Sequence, residues 1–128
     1  MCPRDDSDGD PGGDGARTIL MDLESANTFL AGVDLAFMFA TFWPRAVRQE
    51  DQRERRCLMR YHQRLGQRGI GAFGFDQLFD DYRVAIAMMI FYPIWDKVIG
   101  GSNRSYWWPK MQCLCDAYED LNCRELVG

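Results

Sequence analysis

Lysine and histidine are nearly missing from this 128-residue chain, which has only Lys97, Lys110 and His62. No glycine-rich loop follows a strand-like stretch, so nothing here spells a phosphate cradle with its lysine. A nucleophilic pair is equally unsupported, because no serine or cysteine stands at an activating position beside His62 in sequence. The safer reading of His62 is a partly buried, hydrogen-bonded structural residue. Long apolar runs are lacking too. Val84 to Trp95 falls short of the ~20 residues that a bilayer span needs, and no membrane partner is expected.

Paired cysteines are also wanting. Cys2, Cys57, Cys113, Cys115 and Cys123 are odd in number and scattered. No secretory apolar region precedes them, so reduced thiols and a cytoplasmic location are expected. Cys113 and Cys115 lie in a helical pattern that points their sulfurs to different faces. They lack the two-residue gap and second ligand pair of a zinc site.

What the chain does have is unevenly placed. Asp5, Asp6, Asp8, Asp10 and Asp14 against Arg4 account for the whole net charge of −4. The rest of the chain is balanced, so no global field favours nucleic acid. Residues 1–16 carry almost nothing to bury and read as a flexible acidic Gly/Asp-rich segment. The alternation of Asp6, Asp8 and Asp10 imitates a calcium loop. It fails where Pro11 replaces the required glycine and Arg17 the bidentate glutamate.

Residues 17–128 form one domain's worth of chain, expected to be α+β but mostly α. A short strand, Arg17 to Asp22, precedes a loop through Gly32 and a four-helix bundle. The first helix runs from an Asp34 cap to Trp43, stopped by Pro44, and is apolar on nearly every face. The second, about 49–68, sets Leu58, Tyr61, His62 and Leu65 against Arg53, Arg56, Arg60 and Arg64. The third starts near Asp76, and its apolar second half implies burial before Pro93 kinks or ends it. The fourth, about 106–121, repeats Trp107, Met111, Leu114, Tyr118 and Leu121.

Asp22 is the leading candidate for chemistry. A carboxylate fixed at a strand end is where an enzyme holds a divalent cation against phosphate oxygens. The competing reading is a turn former. Asp34 reads mainly as a helix cap. Asp80, Asp81 and Arg83 share one turn and could meet a cationic substrate, although an Asp80–Arg83 pair on a solvated face needs no function. The arginines of the second helix read as a solvated face rather than a nucleic-acid surface. One of Trp107 and Trp108 must project outward and could line a pocket.

These residues, in their order, resemble the aminoglycoside phosphotransferase and choline-kinase-like family. The likeness lies in Ile19-Leu20-Met21-Asp22-Leu23-Glu24 and Val33-Asp34-Leu35-Ala36-Phe37-Met38-Phe39, which look like the segment after that family's catalytic loop. It continues through Leu58-Met59-Arg60-Tyr61-His62, Phe79-Asp80-Asp81-Tyr82-Arg83, Tyr92-Pro93-Ile94-Trp95 and the stretch from Tyr118 to Leu126. The family fold is kinase-like, with a small nucleotide-clamping lobe and a larger helical lobe. The resemblance therefore makes 17–128 a partial C-terminal helical lobe. It implies that Asp22 stands for the carboxylate holding Mg²⁺ on the ATP phosphates, and Asp34 for the aspartate supporting the catalytic loop. Asp80, Asp81, Tyr82 and Trp108 would face the acceptor, a small hydroxyl-bearing molecule.

The family's His-Gly-Asp-x-x-x-x-Asn loop has no counterpart, nor has its lysine-bearing lobe, and Leu23 replaces an aromatic common after the metal-binding aspartate. The expectation is a phosphotransferase fragment, inactive alone and binding neither Mg²⁺ nor ATP tightly. A non-catalytic helical interaction module or pseudoenzyme is the alternative. Apolar surface left by a missing lobe would favour self-association.

Overall fold

The computed structural model describes residues 30–127. Among them the chain is entirely helical. The helices are α1 Gly32–Phe39, α2 Arg45–Gln49, α3 Arg53–Gln67, α4 Phe75–Met89, α5 Phe91–Val98, α6 Arg104–Asp120 and α7 Arg124–Val127. The expected α+β class with a four-helix bundle is thus corrected to seven helices and no strand among the described residues. Arg17 to Asp22, read as the strand, lies outside them.

Several boundaries differ for local reasons. α1 begins two residues before Asp34, which falls in its first turn, exposed, and makes no capping bond. It ends at Phe39, and residues 40–43 form a turn before Pro44, whose carbonyl accepts the amides of Val47 and Arg48 to open α2. The expected single helix over 49–68 is broken. Asp51 and Gln52 both adopt left-handed backbone, with φ 48° and 54°, at a 3₁₀ turn of Glu50–Gln52. Nothing in local propensity announces that, since neither residue is glycine.

α3 then stops on a Schellman arrangement, with Gly69 at φ 79°. The Ile70 amide donates to the Leu65 carbonyl and the Gly69 amide to Gly66. Asn122 plays the glycine's part after α6. α4 starts from Gly74 rather than an Asp76 cap. It ends at Met89, and Pro93 sits buried in the first turn of α5, where its missing amide hydrogen costs no helical bond.

The core joins α1, α3, α4, α6 and Cys123, beyond the end of α6. Leu35, Ala36, Phe39 and Ala40 meet Leu58, Leu78, Tyr82, Ala85, Ile86, Leu114, Ala117 and Cys123. Gly32, Ala36 and Ala40 lie four residues apart on one face of α1, so the α1 backbone can approach α4 closely. A Cβ added at Gly32 would stand 2.5 Å from the Tyr82 nitrogen.

Candidate functional site

A buried polar centre and an open apolar face are two features of the described residues that could carry function.

The polar centre is built around Arg48, whose side chain is 0% exposed. The kink at 51–52 lets α2 and α3 both turn a charged residue inward. Arg48 Nη1 donates to Glu54 Oε2 at 3.1 Å and Nη2 to Asp120 Oδ2 at 2.7 Å. Tyr82, fully buried on α4, donates its hydroxyl to Glu54 Oε1 at 2.6 Å. Arg45 Nε also reaches Asp120, at 3.0 Å, from the rim. Only Arg48 Nε finds no partner among the described residues.

Burial alone would raise the Asp120 carboxyl, but hydrogen bonds and charge from Arg45 and Arg48 hold it below the ordinary value. Burial, reinforced by Glu54, pushes the Tyr82 phenol far above its usual range. The phenol is therefore locked neutral as a donor. Burial pushes the Cys123 thiol up to about 11, which keeps it protonated and inert. Chemically this centre ties α2, α3, α4 and α6 together.

Arg83 makes a second clamp. Its Nε donates to the Leu121 carbonyl at 2.7 Å, and its remaining nitrogens reach Asp80, Asn122 and Glu125. Orphan carbonyls at the end of α6 are thereby satisfied from α4.

The open face spans the end of α1, α5 and the start of α6. Phe91, Val98 and Ile99 are 63%, 66% and 62% exposed, and Met38, Phe42, Trp95 and Tyr106 are exposed beside them. The apolar second half of the third expected helix was expected to be buried among neighbours before Pro93. Its Ala85 and Ile86 are in the core, but Phe91 and Tyr92 at the start of α5 are exposed. The edge contacts are specific. Phe37 packs edge-on against Phe42 and Tyr92, each at 5.3 Å. Lys110 places its ammonium 3.6 Å from the Tyr106 ring centre, near Tyr92 and Phe42, and 2.8 Å from Asp96.

The residues singled out from sequence are not gathered into one cleft. Asp22 lies outside the described residues. Asp34 is exposed on α1, and Asp80 is held by Arg83. Asp81 is half-buried, while Tyr82 is in the core with its hydroxyl on Glu54. Trp108 is exposed at the start of α6, edge-on to Trp107 and beneath Arg104. His62 is where a structural histidine belongs. Its Nε2 lies 3.0 Å from the Phe73 carbonyl, and its ring meets Phe73 and Phe75 edge-on. No group of three metal-ligating side chains occurs among the described residues.

Sequence reading missed Arg48, Glu54 and Asp120. Arg48 stands just before the helix expected over about 49–68 and Glu54 within it, and nothing in the sequence links either to Asp120. No protein-family model, curated protein or solved structure matches the chain.

Proposed function

We propose that this chain is the helical C-terminal lobe of an ATP-dependent phosphotransferase acting on a hydroxyl of a small acceptor, and that it works only when joined to a nucleotide-holding body. The observation that carries this is the bare aromatic and aliphatic face across α1, α5 and α6, beside a packed core of α1, α3, α4 and α6. Contiguous exposed apolar surface of this kind is characteristic of a face that another body covers. The ordered residue resemblance from Ile19 to Leu126 supplies the chemistry.

In that reading Mg²⁺, when bound, neutralises charge on the transferred phosphoryl group, and its carboxylate is Asp22. The described helices supply rigidity. Arg48, Glu54, Tyr82 and Asp120 lock four helices, so an acceptor wall built on α4 and α6 keeps its shape. Positioning and charge stabilisation supply nearly all the rate in phosphoryl transfer, so a lobe lacking the base and the lysine does not turn over.

Two measurements test this. Calorimetric titration of the isolated chain with Mg·ATP is expected to give no binding heat, and tight binding would overturn the incomplete-lobe reading. Transcript sequencing is expected to find an open frame before Met1 that encodes His-Gly-Asp-x-x-x-x-Asn. Stop codons in that frame would remove the phosphotransferase reading and leave a non-catalytic interaction module. That second reading has its own support. Tyr82 and Asp80, two of the expected acceptor-side residues, already serve internal contacts with Glu54 and Arg83.

A further inference from the structure

The outer side of α3 carries an open cleft of about 580 Å³, lined by Arg56, Met59, Arg60, His62, Gln63 and Phe75. Its volume falls in the range of small-molecule sites, roughly 300–1,000 Å³. None of the residues assigned above to metal, nucleotide or acceptor lines it.

We propose that this cleft binds a small organic phosphate monoester with a flat apolar body. Arg56 and Arg60 are one helical turn apart, so their Cβ atoms are about 6 Å apart and both guanidiniums can converge on one anion. Guanidinium forks match phosphate oxygens two at a time, which a lysine ammonium cannot do. Neither arginine is neutralised at close range. Arg56 has only a 4.0 Å approach to exposed Asp51, and no described carboxylate lies within that distance of Arg60.

The helix contributes no acid of its own to this side. Glu54 is turned inward and bonded to Arg48 and Tyr82. Gln63 adds a neutral donor, while Met59 and Phe75 supply apolar walls. The Phe75 ring is fixed on two sides, with Arg55 5.3 Å above its centre and His62 edge-on at 6.0 Å. A held aromatic beside paired guanidiniums favours a planar group carrying a phosphate over free inorganic anion. Asp51, 4.0 Å from Arg56 at one edge, opposes a long polyanion.

The test is a calorimetric titration of the full chain with phenyl phosphate, with inorganic phosphate and benzyl alcohol as half-probes. Phenyl phosphate is expected to bind at least about tenfold more tightly than either half-probe. The double variant Arg56→Gln/Arg60→Gln should lose about tenfold or more, while Arg124→Gln on α7 should bind as the parent does. Phe75→Leu should bring phenyl phosphate down to the affinity of inorganic phosphate. Circular dichroism confirms that each variant is folded; the two arginines are exposed and make no core contact.

Three results would overturn the proposal: equal affinity for phenyl and inorganic phosphate, indifference to the double variant, or binding of a single-stranded oligonucleotide but not of phenyl phosphate. None of them bears on the phosphotransferase-lobe reading, which stands or falls on Mg·ATP and the upstream frame.

Discussion

A guanidinium taken out of water loses several kcal/mol of effective hydration, so a fully buried arginine survives only among acceptors. Arg48 has Glu54 and Asp120, and Tyr82 satisfies the remaining Glu54 oxygen. Such a cluster adds little net stability against an apolar isostere, yet breaking it by removing one partner costs about 3–5 kcal/mol. Asp120 is the member that reports on pH. Its carboxyl titrates below the ordinary value when folded and at the ordinary value when unfolded. Its contribution is therefore complete above about pH 4 and is lost as pH falls through the lower folded value. Asp120→Asn should lower the urea midpoint at pH 7 and flatten the fall in stability below pH 4. If the acid limbs of variant and parent superimpose, Asp120 is not part of the acid response. None of this was readable beforehand, because Arg48 and Asp120 are 72 residues apart and each looks like an ordinary polar-face residue. His62 was readable, since its neighbours Tyr61 and Leu65 already marked the inward face.

Helices are the scale at which the sequence is most informative, and their ends are where it misleads. The apolar spacing of Leu58, Tyr61 and Leu65, or of Leu78, Tyr82 and Ile86, identifies α3 and α4 because 3.6-residue periodicity is a property of the whole segment. Start points rest on one side chain each. Asp34 and Asp76 were natural caps by composition, yet both lie inside first turns while Ala31 and Gly74 hold the cap positions. A carboxylate in the first turn still meets the positive helix end, so sequence preference is satisfied without fixing the boundary. Close approach of α1 to α4 gives a sharper test. Glycine to alanine inside a helix ordinarily gains up to about 1 kcal/mol. At Gly32 the added carbon would sit 2.5–2.7 Å from backbone atoms of Tyr82 and Asp81, which cannot move aside as a side-chain tip could. The sign should reverse. Gly32→Ala is expected to destabilise by about 1–3 kcal/mol in chemical denaturation. An unchanged or raised midpoint would mean that α1 does not pack on α4 at this distance.

Among the described residues, the most exposed large apolar side chains, Phe91, Val98 and Ile99, lie on or just after α5. The second half of the third expected helix was read as buried among neighbours because it is apolar all round, with Pro93 kinking or ending it. Ala85 and Ile86 obey, in the core, while Phe91 and Trp95 beyond the Ile90 break are exposed. One apolar run thus serves two surfaces, and hydropathy alone cannot tell a core from a docking face. The consequence is measurable. The parent chain should bind a hydrophobic dye and scatter light as more than a monomer at micromolar concentration. Phe91→Gln/Val98→Glu should remove most of the dye signal. It should also return the chain to a monomer and shift stability by only about 0.5 kcal/mol, since both side chains are mostly in water already. A large stability loss would show that the two residues support the core rather than await a cover. A dye-silent monomeric parent would take away the open face on which both functional readings depend.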